Sequence, residues 1–118
     1  MYMSGEVFDF LCIGSITLDL NTVAGRRIKA TGGSAYYASL VLAKLGCKVA
    51  LVSRVGRGLE HIEKELTRAG VYVAKLDVLD CKPIVFENTY DEVGRRVQRA
   101  SCELPPITAD DVPDIEAR

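Results

Sequence analysis

The sequence predicts an α/β fold, a parallel sheet carrying helices with a small β hairpin added. Three observations carry this. Short apolar runs that read as strands alternate with helical stretches as far as residue 73. Each of the two helical stretches stops at a glycine, Gly46 and Gly70. After residue 82 the pattern changes to two β-rich runs around Asp91-Glu92-Val93-Gly94.

The elements follow in order. Phe8–Ile13 is a nearly continuous apolar run closed by Gly14, which reads as a buried strand. Ile16–Asn21 continues extended, with Ile16, Leu18 and Leu20 alternating against Thr17, Asp19 and Asn21; a period of two predicts one wet face. Ala24–Lys29 reads as a polar, basic connection. Thr31-Gly32-Gly33 leads into a helix over Ser34–Leu45. Ala35, Ala38, Leu42 and Leu45 would form its inward stripe, widened by Leu40 and Val41, so this helix is expected to be covered on more than one side. Lys48–Ser53 is a second buried strand. Leu59–Ala69 is an amphipathic helix with Leu59, Ile62, Leu66 and Ala69 on one face and a Glu60–Lys64 pair on the other. Val71-Tyr72-Val73 opens a third strand, and this order implies parallel strands with right-handed crossovers. Pro83–Tyr90 and Arg95–Ser101 form an antiparallel hairpin. Leu104–Arg118 reads as linker-like, with a short helix possible at Thr108-Ala109-Asp110-Asp111.

Composition narrows the function. The 118 residues allow one domain at most. Fifteen Lys+Arg against 16 Asp+Glu argue against a nucleic-acid-binding domain. No apolar run approaches the ~20 residues that span a bilayer. Met1–Phe10 contains Glu6 and Asp9 and no basic residue, so it does not read as a signal peptide, and a cytoplasmic location is expected. Cys12, Cys47, Cys81 and Cys102 form no Cys-x-x-Cys pair and the single histidine is His61, so no metal site is expected and the thiols read as reduced. His61 falls on the polar side of its helix and is assigned no catalytic role.

Four features carry candidate chemistry. Asp19 lies just past a strand end, where open α/β sheets bind ligands, and its carboxylate can accept two hydroxyl donors; a solvent-facing loop acid is the competing reading. Gly32-Gly33 lets backbone amides approach a ligand at a helix N-terminus, or is a tight turn into a helix. Tyr36 and Tyr37 in the first helical turn either line a pocket or pack on the sheet. Arg95, Arg96 and Arg99 form a basic patch suited to anions, or a solvated face. No Gly-x-Gly-x-x-Gly fingerprint and no P-loop is present.

Together these residues resemble the N-terminal part of the ribokinase/PfkB family of carbohydrate kinases. Gly14-Ser15-Ile16 followed by Asp19 is similar to the family's first strand and its substrate-binding aspartate. Gly32-Gly33, Ala35, Ser39, Gly46 and Gly56 fall at the spacing of its N-terminal glycine signature. Leu45–Gly56 is similar to its "LG-x-x-V-x-x-V-x-x-VG" run, and Thr89-Tyr90…Gly94-Arg95-Arg96 to its lid-side "Y…G-x-R" segment. Tyr37 departs from the signature, which usually has Asn there. Arg57-Gly58-Leu59 replaces the Asp and later Gly that usually follow Gly56.

The resemblance implies a partial Rossmann-like fold. Residues 1–118 would be the N-terminal part of one kinase domain, with lid elements near 16–31 and 83–101. It implies transfer of the ATP γ-phosphate, with Mg²⁺, to a hydroxyl of a sugar, nucleoside or cyclitol. Asp19, Gly32 and Gly33 would bind substrate, with Thr17, Tyr37 and Arg96 as further lining. The family's Gly-Ala-Gly-Asp-type motif, which supplies the catalytic base and anion hole, does not occur in these residues. No catalytic residue is therefore assigned, and little activity, and no ATP or Mg²⁺ binding, is expected of the chain alone. A non-catalytic sugar-binding or interaction module is the alternative. The expected partners are a small sugar-like molecule and either a second copy through the hairpin or a C-terminal half, with no nucleic acid and no membrane.

Overall fold

The computed structural model describes residues 6–118 and arranges them as three sheets, two helices and a 3₁₀ turn. The reading of Met1–Phe10 as no signal peptide lies partly on residues 1–5, outside the described residues. Strands β1 (Val7–Phe8), β2 (Phe10–Ile13), β3 (Thr17–Val23) and β4 (Arg26–Gly32) precede helix α1 (Ser34–Lys44). Strand β5 (Val49–Val55), helix α2 (Ile62–Arg68) and β6 (Tyr72–Val78) follow, then β7 (Val85–Tyr90), β8 (Arg96–Ser101), the 3₁₀ turn Ala109–Asp111 and β9 (Glu116–Ala117).

The predicted parallel sheet is present, in the order β2-β5-β6, with α1 and α2 as its crossovers. β5 is its centre: Val49, Ala50, Leu51, Val52 and Val55 are all buried. Leu51 and Val55 meet Ile16, Ala35, Tyr36, Ile62 and Leu66 in the core between sheet and helices. Both helices end as the glycines predict. Cys47 N–H bonds Leu42 O and Gly46 N–H bonds Ala43 O, and Val71 and Gly70 repeat the pattern on Leu66 and Thr67.

The second sheet, β4-β3-β7-β8, joins distant parts of the chain, because β3 pairs parallel with β7. The Pro83–Tyr90/Arg95–Ser101 hairpin forms as predicted, its turn tied by Asp91, whose Oδ1 accepts the Val93 and Arg95 amides.

Several expectations are corrected. Ala24–Lys29 is not a connection: β3 and β4 form a tight hairpin whose two-residue turn, Ala24-Gly25, has φ of 51° and 76°, both positive as a type I′ turn requires. The exposed basic residues of β4 hide its strand character. The first apolar run is broken at Asp9, and Phe10 and Ile13 remain 46% and 49% exposed because β2 is a sheet edge among the described residues. Helix α1 buries Ala35, Tyr36 and Ser39 and packs Leu40 and Ala43 partly, whereas Ala38 is exposed and Leu45 is 74% exposed. The helix meets one sheet on one side. Ala69 is exposed, the second helix begins only at Ile62, and Glu60 turns back to accept the Gly58 amide.

Residues 104–118 are not a loose linker. Arg54 on β5 donates to the carbonyls of Pro105 and Pro106 and to Asp111 Oδ1, the last at 2.7 Å. β9 then pairs parallel with β1, and Arg118 N–H bonds Phe8 O. All four cysteines are unpaired. No helix among the described residues is long and apolar enough to cross a membrane.

Candidate functional site

The two sheets meet at the start of β3, and the site forms there. Ile16, fully buried, anchors the strand in the core. Beyond it the period of two sends Thr17, Asp19 and Asn21 to one face. Thr17, nearly buried, donates its hydroxyl to Asp19 Oδ1 at 2.9 Å. That bond takes one position on the carboxylate and leaves Oδ2 to accept from a ligand.

The glycines are explained by what surrounds them. A Cβ on Gly32 would lie 2.2 Å from Asp19 Oδ2, so the missing side chain makes room for the carboxylate. Gly33 has φ of 109°, and a Cβ there would sit 2.6 Å from the Ser15 carbonyl oxygen. It turns the chain from β4 directly into α1, whose first turn contains no acidic residue and whose end has no side-chain cap. The partial positive charge of that helix end lies beside the Asp19 carboxylate. Gly14 lets α1 approach, since its Cβ would meet Ala35 Cβ at 3.0 Å. Gly56 allows the chain to cross Pro83, whose backbone would lie 2.4 Å from a Cβ.

The six predicted site residues converge. Thr17, Asp19, Gly33, Tyr37 and Arg96 line one open cleft of about 410 Å³, and Gly32 lies directly beneath Asp19. Tyr37 is half-exposed, and its hydroxyl donates to Thr31 O at 2.8 Å, which leaves the oxygen free to accept. Its ring meets Tyr36 edge-on at 5.3 Å. Tyr36 instead turns inward and donates to Glu65 Oε1. Burial, reinforced by that bond, pushes its phenol up to about 12. The arginine patch divides: Arg95 is held by Asp91 at 2.7 Å, Arg99 stands opposite Glu87 on the other face, and Arg96 reaches the cleft. His61 lies elsewhere, beside Lys29 and Arg57 in a separate cavity.

Sequence reasoning missed the far wall. Asn21, Asn88 and Gln98 face the cleft from three adjacent strands, with Phe86 and Tyr90 beside them. Asn21 continues the Thr17/Asp19 alternation and was legible as part of a polar face. Asn88 and Gln98 carry no local signal, because the β3–β7 register that brings them in is long-range. Among the described residues no three His, Cys, Asp or Glu side chains cluster.

No protein-family model matches this sequence, and no curated protein matches it. Solved structures do. A pyrophosphate-dependent kinase of the ribokinase family, in a sulfate complex, is similar with a TM-score of 0.72 and 25% identity, covering 90% of this chain and 36% of that one. A pyrophosphate-dependent kinase of that family, complexed with a pyrophosphate analogue and myo-inositol, gives 0.69 at 23% identity, covering 90% and 35%. Ribokinase from Cryptococcus neoformans var. grubii serotype A, with ADP, gives 0.68 at 18% identity, covering 80% and 34%. The chain spans about a third of the length of the structures it matches. The comparison agrees with the resemblance read from Gly14, Asp19 and Gly32-Gly33: this chain has the fold of the N-terminal part of the ribokinase-family kinases.

Proposed function

We propose that this chain is the substrate-binding half of a ribokinase-type kinase that phosphorylates a hydroxyl of a sugar, nucleoside or cyclitol. The observation that carries the reading is the placement of Asp19: a carboxylate with one free oxygen, seated over Gly32 and facing an uncapped helix end. Asp19 would accept from substrate hydroxyls and orient them. The backbone amides at the Gly33–Ser34 end of α1 would donate to substrate hydroxyl oxygens, and Tyr37 and Arg96 would flank the substrate. The second sheet would serve as the lid that excludes water.

The phosphate donor would be bound by polypeptide outside these residues. The family resemblance implies ATP with Mg²⁺. The similarity to a pyrophosphate-dependent kinase makes pyrophosphate the second donor to try. The half-exposed edge strand β2, with Phe10 and Ile13, is the surface a C-terminal half would cover. β8 is exposed along its whole length at the edge of the second sheet, and a second copy would pair there. The expected compartment is the cytoplasm.

A second reading is a non-catalytic polyol-binding module, in which the polar wall of Asn21, Asn88 and Gln98 beside Asp19 holds a polyol without phosphorylating it. Calorimetric titration of the chain with ribose, fructose and myo-inositol tests both. Saturable binding abolished by Asp19→Asn supports the assigned site, and binding of none of the three overturns it. Product formation from ATP or pyrophosphate, with the chain alone and then with a longer native form, separates kinase from binding module.

A further inference from the structure

On the wall of the cleft opposite Gly33, three side-chain amides form a directed chain. Gln98 Nε2 donates to Asn88 Oδ1 at 2.8 Å, and Asn88 Nδ2 donates to Asn21 Oδ1 at 2.8 Å. The three residues stand directly opposite one another on β8, β7 and β3. Asn88, at 5% exposure, is the buried middle member, with both ends of its amide engaged.

The direction of this chain determines what its ends offer. Asn21 uses its carbonyl oxygen on Asn88, so its Nδ2 donor remains for the cleft. Gln98 uses its Nε2, so its Oε1 acceptor remains. Asn21 is two residues from Asp19 on the same face of β3, about 7 Å along the strand. The wall therefore presents an acceptor at Asp19, a donor at Asn21 and an acceptor at Gln98.

We infer that the Asn21–Asn88–Gln98 amide chain is a specificity-determining element that selects a neutral ligand with at least three hydroxyls along one side, and that Asn88 acts as its positioning residue. The inference rests on the proposed substrate site and deepens it. A hydroxyl both donates and accepts, so one polyol satisfies all three positions. A ligand lacking the oxygen opposite Asn21 leaves that donor unpaired, which is how a polar site rejects a deoxy analogue. Because both ends of the Asn88 amide are spent on its neighbours, it sets which group Asn21 presents to the ligand.

Asn88→Asp separates positioning from packing. An aspartate at that position still accepts from Gln98 but has no donor for Asn21. The Asn21 amide must then turn its Nδ2 toward residue 88 and show its carbonyl oxygen to the cleft. Donor becomes acceptor beside Asp19 at nearly constant shape.

The test is calorimetry with ribose, fructose, myo-inositol and their monodeoxy analogues on wild type, Asn88→Asp and Asn88→Leu, with Tm measured on each. Wild type is expected to prefer one parent polyol over one of its deoxy analogues by roughly tenfold or more. Asn88→Asp is expected to erase or invert that ratio, and Asn88→Leu to reduce it. Equal weakening of parent and deoxy ligands in Asn88→Asp would overturn the inference and make the chain merely structural. Failure of wild type to bind any polyol overturns the underlying site, a result distinct from binding with an unchanged ratio. Should the variants not fold, ¹⁵N–¹H correlation spectra of wild type decide: the Asn21 side-chain amide must shift with the preferred polyol more than with its deoxy analogue. Equal shifts overturn the inference.

Discussion

The carboxylate of Asp19 occupies the space that a side chain at position 32 would need: a Cβ on Gly32 would stand 2.2 Å from Asp19 Oδ2 and 2.4 Å from Oδ1. The obstructing atoms are the movable end of a side chain and not backbone. Gly32→Ala should therefore expel the carboxylate and break its bond to Thr17 while leaving the strand intact. The expected result is a loss of polyol affinity of roughly tenfold or more, as for a lost charged hydrogen bond, with little change in Tm. Calorimetry and thermal unfolding on the same sample check it.

Gly33→Ala should behave differently. Its φ of 109° belongs to glycine, and its Cβ would approach a backbone oxygen, that of Ser15, at 2.6 Å. Neither conflict can be relieved by turning a side chain. The expected cost is on the order of 2 kcal/mol or more in unfolding free energy, read as a lower midpoint in urea. The two adjacent glycines thus divide function from stability.

Tyr36 predicts an alkaline limit to stability. Its phenol ionises at about 12 in the folded chain against an ordinary value of 10.0, raised by burial and by its bond to Glu65. Between those values the unfolded chain loses a proton that the folded chain keeps. This contribution is therefore complete below pH 10 and declines as pH rises toward 12. Denaturation midpoints across that range should fall in wild type and fall less in Tyr36→Phe.

The Arg54–Asp111 contact predicts an acid limit at the other end of the chain. The Thr108 amide, and then Arg54, hold the Asp111 carboxyl below its ordinary 3.8. The contact's contribution is present above that value and is lost as pH falls through the lower folded one. Arg54→Met should free residues 104–118 at neutral pH, seen as faster amide exchange there and a Tm several degrees lower. Unchanged exchange in that segment would show that the β1–β9 pairing and the Lys75–Asp111 ion pair hold it without Arg54.

What the sequence alone determined about this protein is local. Gly46 and Gly70 announce helix ends through backbone geometry, Val49–Val52 announces a buried strand through its unbroken apolarity, and Asp91–Gly94 announces a hairpin turn. Asp19 and Gly32-Gly33 stood out as candidates, but residue type alone left a loop acid and a tight turn open, and it is the family resemblance that joins them into one site. Tertiary structure decided the rest. The inward face of α1 was misassigned because a helix rich in Ala, Leu and Val offers several equivalent stripes, and only docking on β5 selects Ala35, Ser39 and Ala43. β4 was hidden because Arg26, Arg27 and Lys29 lie on a strand with no buried face to enforce alternation. The Asn21–Asn88–Gln98 chain depends on the β3–β7 and β7–β8 registers, and register across 67 residues is set by the packing of the whole sheet. Periodicity shows which way a side chain points; only the assembled sheet determines what stands opposite it.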